Sequence, residues 1–442
     1  MKPAALLSVL GLALAAGRSP ADTVKDRKGA VLSDRAALED DPRWIYNDWQ
    51  KGFAEARRTG KPLLVTLRCV PCLACAGIDA RVLSQDPGLD PLLDQFVCVR
   101  VMNANALDLA LFQFDYDLSF STLFFNADGT VYGRFGSWTH QANSKDDTID
   151  GYRRALEGAL AIHRGYPANQ APLAGKQGAP LPFKDPLEIP ELAGKFTRNL
   201  DWEGRVVQSC VHCHQIGDAL RAHYRDQKKP VPAEWIYPWP APETIGLTLA
   251  PEQAARVQSV AAGSPAAQAG LQPGDDLVTL AGQPLISPAD VAWVLHRAGD
   301  PGTLPALVRR GGAELPLLLR LPEGWRLKAD ISRRVGAWPM RAMALGGLHL
   351  EDLSDEQRAE RGLGREQMAL HVKHAGEYGN HAAARKAGFQ NGDVIVELDG
   401  QSARVGESEL IGRLLRKHPP GAQVKANVLR GTERKEFSLP MQ

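Results

Sequence analysis

The sequence is poor in cysteine, with six in 442 residues, and it has no excess of either charge. So few thiols exclude a disulfide-dense scaffold, in which bridges replace a core. Fifty-two Lys and Arg against 51 Asp and Glu leave a formal charge of +1. A general nucleic-acid binder carries a basic footprint, and none exists here, so no nucleic-acid partner is expected. No run reaches the roughly 18 apolar residues of a membrane-spanning helix, so a soluble chain with no span is expected. What the sequence does have is 44% hydrophobic residues, enough to bury several cores, and 42 Gly and 31 Pro, which mark turns and connectors. At roughly 150 residues per domain the length predicts about three domains.

Lys2 precedes an apolar run from Ala4 to Ala16, with the small-x-small site Ala13-Leu14-Ala15 near its end. This layout reads as a secretory signal peptide over residues 1–21 and predicts an exported protein, periplasmic or extracellular. A lipid anchor needs a Cys just after the run, and the first is Cys69.

Residues 22–42 read as a polar lead-in. From 44 to 164 helical and strand patterns alternate: helix Asn47–Thr59, strand Pro62–Leu67, strand Phe96–Met102, a hairpin through Ala127-Asp128-Gly129, then helix Thr148–His163. That order predicts an α/β sandwich. Residues 165–190, with Pro167, Pro172, Pro180, Pro182, Pro186 and Pro190, read as a linker, and 191–243 as a short segment around Cys210. The remainder repeats: Ala269-Gly270-Leu271-Gln272-Pro273-Gly274-Asp275 matches Ala387-Gly388-Phe389-Gln390-Asn391-Gly392-Asp393 at an offset of 118 residues. Each copy continues into an amphipathic helix and a strand pair around Arg310-Gly311 or Arg430-Gly431, so one mostly-β domain occurs twice, over 244–322 and 345–440.

Cys69, Cys72 and Cys75 follow the first apolar strand at three-residue spacing. A CxxC at a strand-to-helix junction lets the helix N-terminus stabilise a thiolate and puts a resolving thiol one turn along. With the surrounding pattern this resembles a thioredoxin-like domain over about 44–164. The resemblance implies Cys72 and Cys75 as the active pair, with Cys69 an additional thiol. Pro71 stands where thioredoxins have Trp, and Ser121 where they have a cis-Pro facing the motif. A structural disulfide or a three-thiolate metal site remain alternatives for the triplet. Cys98 reads as a small buried hydrophobe.

Cys210-Val211-His212-Cys213-His214 has the spacing for covalent haem c: two thiols for the vinyl groups and a His for iron. The flanks resemble a c-type cytochrome. His214 is then the proximal ligand, while Met343, Met340, His223 or an open position supplies the distal side. A zinc site using Cys210, Cys213 and His214 or His212, or a plain disulfide, are the alternatives.

The repeated domain resembles PDZ domains of the kind appended to bacterial exported proteases. In that family a Gly-containing loop donates N–H groups to a peptide carboxylate, the next strand pairs with the peptide, and a helix supplies an apolar pocket. The matching residues are Gly246, Leu247 and Leu249 in the first copy and Gly347, Leu348 and Leu350 in the second, with helices Pro288–Arg297 and Glu407–Arg416. This implies peptide or protein C-termini, or extended segments, as partners. No Gly-x-Ser-x-Gly or Ser/His/Asp set occurs, so protease catalysis does not transfer. The full order is similar to an exported thioredoxin/PDZ (seleno)protein family. It implies a thiol–disulfide or electron-transfer oxidoreductase directed by PDZ docking, or else a PDZ adaptor whose thioredoxin-like domain is structural or senses redox state.

Overall fold

The computed structural model describes residues 26–70, 86, 88–118, 120–136 and 149–442. The stretch read as a signal peptide lies outside them, as do Cys72 and Cys75.

The polar lead-in contains a helix, α1 (Arg27–Leu38), started by Asp26, whose side chain accepts from Gly29 N. It buries Val31 and Leu38, and its Asp34 pairs with the fully buried Arg100. Strand β1 (Trp44–Tyr46) follows, then α2 (Trp49–Thr59), capped by Asp48 and ended by Gly60 in the left-handed conformation. Next come β2 (Leu63–Arg68), the short helix α3 (Asp90–Leu93), β3 (Val97–Val101), and the hairpin β4 (Phe120–Phe125) and β5 (Val131–Gly136). Helix α4 (Ile149–Gly165) closes the unit. The sheet order is β1-β3-β2-β4-β5, parallel across β1, β3 and β2 and antiparallel beyond. Every residue of β2 to β5 is buried, because helices cover both faces and no strand face meets water.

The Pro-rich stretch is not a loose connector. It forms two 3-10 turns, 171–176 and 186–188, burying Leu173, Lys176 and Pro186, while Leu181 and Phe183 pack on the sandwich core. Three helices follow: α5 (Val206–Ser209), α6 (Cys213–Asp226) and α7 (Ala233–Ile236). Helix α6 adds Ile216, Ala219 and Leu220 to the same core.

The first repeat comprises β6 (Leu247–Leu249), β7 (Val257–Val260), α8 (Pro265–Gln268), β8 (Asp276–Leu280), β9 (Gln283–Pro284), α9 (Pro288–Arg297), β10 (Gly302–Arg310) and β11 (Ala313–Leu321). The second comprises α10 (Ala337–Leu345), β12 (Leu348–Asp352), α11 (Asp355–Ala359), β13 (Leu370–Ala375), α12 (Ala383–Lys386), β14 (Val394–Leu398), α13 (Glu407–Lys417), β15 (Gln423–Arg430) and β16 (Glu433–Pro440). The repeated fingerprint has one structural purpose in both. Asp275 accepts two bonds from Arg310 and one from Gln272 N, and Arg310 also reaches Gly270 O. Asp393, Arg430, Gln390 N and Gly388 O reproduce the clasp. The bidentate carboxylate–guanidinium pair ties the turn before β8 or β14 to the end of the neighbouring strand, β10 or β15.

No helix among the described residues is long and apolar enough to cross a membrane.

Candidate functional site

Cys69 is the first residue after β2. The register Arg68↔Phe120 puts the start of β4 alongside it. The CxxCH segment is brought to this strand end by Asn105, which follows β3. Asn105 Oδ1 accepts from Val211 N at 2.7 Å, and its Nδ2 donates to Thr197 O at 2.6 Å and Ser209 O at 2.8 Å. Cys210 and His212 are extended, and the chain turns into α6 at Cys213. Gln215 holds that start, with its Oε1 accepting from His212 N at 2.8 Å.

As a result Cys69 and His212, 143 residues apart, sit side by side with Sγ 3.4 Å from Nδ1. Cys69, Cys210, His212 and Cys213 line one small cavity of about 20 Å³, otherwise walled by Val31, Leu67, Val101, Met102 and Val207 among the described residues. Burial pushes the Cys210 thiol up to about 12 and Cys213 above the usual thiol range, and Cys69 adds to both shifts. Burial also holds His212 down to about 4, so its imidazole is neutral near pH 7. The buried thiol Cys98 lies on the other face of the sheet, bonded to Leu93 O.

The haem expectation can be weighed against this arrangement. His214 is not among the pocket residues; its Nδ1 lies 3.2 Å from Asp218 and its ring stacks on that of His212. Met340 is fully buried in the second repeat's core and Met343 packs on it. His223 rests against Phe183 and Glu191. The ring facing the two thiols is therefore His212, and the methionine beside them is Met102. These residues do not fit a haem held by His214. Among the described residues no group of three or more His, Cys, Asp or Glu is placed to hold a metal ion, zinc included.

The expected peptide grooves are filled from within. In α9, residues Pro288 to Leu295 are all buried. Asp290 makes a 2.8 Å ion pair with buried Lys176 and accepts from Arg134 N on β5, while Ser287 donates to Arg134 O. Trp239 stacks on His296 and joins the cluster containing Leu247, Leu249, Val291 and Val294. Gly246 N donates to Glu243 O, closing a 3-10 turn, and a Cβ there would lie 2.2 Å from Ser264.

In the second copy α10 runs into the glycine loop, and both Gly346 N and Gly347 N donate to Arg341 O. A Cβ on Gly347 would meet His381 O at 2.0 Å. Leu348 and Leu350 point into the core. Leu350 N donates to Glu407 on α13, which Arg341 holds with two bonds. The outer end of this groove is open, a cleft of about 750 Å³ between His349–Asp352, Gly406–Glu409 and the 327–333 segment.

Sequence reasoning missed Met102 and Asn105, and it named His212 only as an alternative zinc ligand. His212 was visible as the middle of the CxxCH, but no local pattern pairs it with Cys69.

The comparisons agree with these folds. Residues 44–127 match the thioredoxin-like family, and residues 256–310 and 379–441 each match PDZ domain families. The chain thus contains a thioredoxin-like domain and two PDZ domains. No curated protein matches it. Solved structures similar to part of it include HtrA-type protease AlgW with decapeptide, at 19% identity and TM-score 0.20 over 31% of this chain and 48% of that one. The same protease with tripeptide is 18% identical, TM-score 0.19, over 31% and 52%. The chain thus spans about half the length of the solved structures it matches.

Proposed function

We propose that the chain is a thiol–disulfide redox protein whose centre is assembled between the thioredoxin-like domain and the CxxCH segment. The observation that carries this reading is the shared pocket, where Cys69 touches His212 and faces Cys210 and Cys213. The His212 imidazole, 3.4 Å from the Cys69 thiol, is placed to accept its proton as the sulfur attacks, as a weak base, since burial holds the ring down to about 4. Burial keeps Cys210 and Cys213 protonated, so the first attack falls to Cys69, and either of them resolves the mixed disulfide only after giving up its proton to the departing thiolate. In the exchange, the Cys69 thiolate attacks a substrate disulfide and expels one sulfur as thiolate. A Cys210 or Cys213 thiol then displaces the second sulfur and leaves an internal disulfide. The N-terminal apolar run fits export to a compartment where such disulfides persist.

The PDZ domains in this reading are first of all a brace. The first is locked to the thioredoxin-like sheet through α9. The second keeps an open outer cleft beside edge strand β12, and this favours docking of an extended segment there rather than at the first copy.

The test is disulfide mapping by mass spectrometry after titration with an oxidised small dithiol. A bridge from Cys69 to Cys210 or Cys213, lost in Cys69→Ser, is expected. Bridges restricted to other pairs, with Cys69 alkylated throughout, would refute the shared centre.

A further inference from the structure

We infer that the open cleft of the second PDZ domain takes an internal extended segment carrying a Lys or Arg, and does not take a chain's C-terminus. This rests on the docking proposed above for that cleft and names its partner; it is independent of the thiol centre.

The first argument is the backbone row that β12 offers. Leu353 N donates to Ala369 O, and Glu351 lies opposite His371, so positions 351 and 353 spend their polar groups on β13. The two-residue period then turns those of Leu350 and Asp352 to the open side. Leu350 N is the inner donor of this row, and Glu407 Oε1 already accepts from it at 2.8 Å. Arg341 holds that carboxylate in place with bonds of 2.9 and 2.6 Å. The carbonyl of Leu350 and both backbone groups of Asp352 are left for an added strand.

The second argument is the place a chain end would occupy. Gly346 N and Gly347 N both donate to Arg341 O, so the glycine loop aims neither at the cleft. A terminal carboxylate brought to this end would meet the Glu407 carboxylate instead of free donors, and like charges repel. An internal peptide bond carries no such charge.

The third argument is charge. Of the carboxylates lining the cleft, Glu351 is engaged by Lys373, Asp352 by Arg358 and Arg404, Glu407 by Arg341, and Glu409 by Arg413 and Lys328. Asp330 instead accepts from Ser332 N at 2.8 Å and from Ser408 Oγ at 3.1 Å, and among the described residues no Lys or Arg makes an ion pair with it. Burial works against its charge, but the bonds from Ser332 and Ser408 outweigh it and keep the carboxyl below its usual range. A fixed, ionised carboxylate without a paired cation, in the same cleft as an open strand edge, suits an ammonium or guanidinium on the incoming segment.

The experiment titrates the full-length chain into fluorescein-labelled decapeptide pools and reads fluorescence polarisation. Each pool is random over uncharged residues except for a central Lys or a central Glu, and each is made with an amidated and with a free C-terminus. The amidated Lys pool is expected to bind about 10-fold tighter than the amidated Glu pool and than the free-ended Lys pool, the size of one hydrogen bond to a charged group. It should also protect β12 amides from hydrogen exchange. Asp330→Asn keeps an acceptor for Ser332 N and Ser408 Oγ, so that variant should melt as the parent does while the preference for Lys disappears. If free-ended pools bind as tightly as amidated ones, if Glu serves as well as Lys, or if Asp330→Asn keeps the preference, the inference falls, and docking at this cleft stands where β12 is protected. If no pool binds or protects β12, docking there falls as well, with the thiol centre untouched.

Discussion

Removing Asp290 tests how the first PDZ domain is fastened to the thioredoxin-like sheet. Its carboxylate faces Lys176 at 2.8 Å, accepts from Arg134 N at 3.2 Å and accepts from Ile286 N at 3.1 Å. Both cations are fully buried, and desolvation lowers their pKa values, Arg134 to about 10, against the raising effect of Asp290. Asp290→Ala therefore leaves two buried cations facing each other and two N–H groups without an acceptor. Breaking a buried pair from one side costs about 3–5 kcal/mol. At 1.4 kcal/mol per tenfold, amides of α9 should exchange with deuterium more than about 100-fold faster. Lys176→Met should cost less, because it removes an ammonium that burial already penalises while Asp290 keeps both N–H donors. The double variant should then be protected better than Asp290→Ala alone. Hydrogen exchange followed by mass spectrometry on α9 peptides reads all three. If Asp290→Ala exchanges within about threefold of the parent, or the double variant is worse than the single, the ion pair is not what seals this interface.

Four shorter predictions follow from the same contacts. His296 is held down to about 3 by burial and the surrounding Arg residues, and its Nδ1 accepts from Trp239 N. Its unfolded form takes a proton near pH 6.5 and its folded form does not, so stability should fall by about 1.4 kcal/mol per unit as pH drops from 6.5 toward that lower value. His296→Phe should flatten that slope in urea titrations. A Cβ on Gly412 would lie 1.8 Å from Tyr237 Oη, so Gly412→Ala should cost about 1–3 kcal/mol by overpacking, read as protease cutting within 233–240. Asn105→Ala strips the acceptor from Val211 N and should cost about 1–3 kcal/mol, with native-state alkylation of Cys210 rising at least tenfold. Glu407→Ala frees Leu350 N and leaves Arg341 buried without its carboxylate; the second PDZ domain should lose about 3–5 kcal/mol in thermal melts, and Arg341→Met in the same chain should restore part of it.

Much of the architecture was readable because it is local. The alternation that predicted strands at 62–67 and 96–102 appears as β2 and β3, and the Asp128-Gly129 turn joins β4 to β5. The 118-residue repeat is borne out as two PDZ domains. Helix α1 was hidden, since only two of its apolar side chains are buried and it is tied down by the Asp34–Arg100 pair. The Pro-rich stretch looked like a linker because composition reports that its backbone cannot enter a sheet, not whether its side chains pack. The thiol–histidine cluster was half legible. The cysteine triplet and the CxxCH stood out, but as separate sites, because the contact joining Cys69 to His212 exists only once Asn105 ties the two segments together.

The same reasoning separates what the PDZ fingerprint specifies from what each copy packs against. The residues the two copies share, the paired glycines and the Asp–Arg clasp, are all accounted for by turn geometry and strand fastening. What each copy docks against is set by residues they do not share. The sixth residue of α9 is Trp293, whose ring donates to Gly175 O and carries the Arg134 guanidinium 4.0 Å away, joining that copy to the connector and the sheet. The sixth residue of α13 is Gly412, and the missing side chain admits Tyr237, whose hydroxyl donates to Ser408 O. A helix that in a peptide receptor faces an open groove here faces the chain's own preceding segment in both copies. In the second copy Glu407, held by Arg341, lines the inner end of a cleft that runs out to Glu351 and Glu409. Leu350 N, a group that a strand added to this edge would need, is already taken by Glu407.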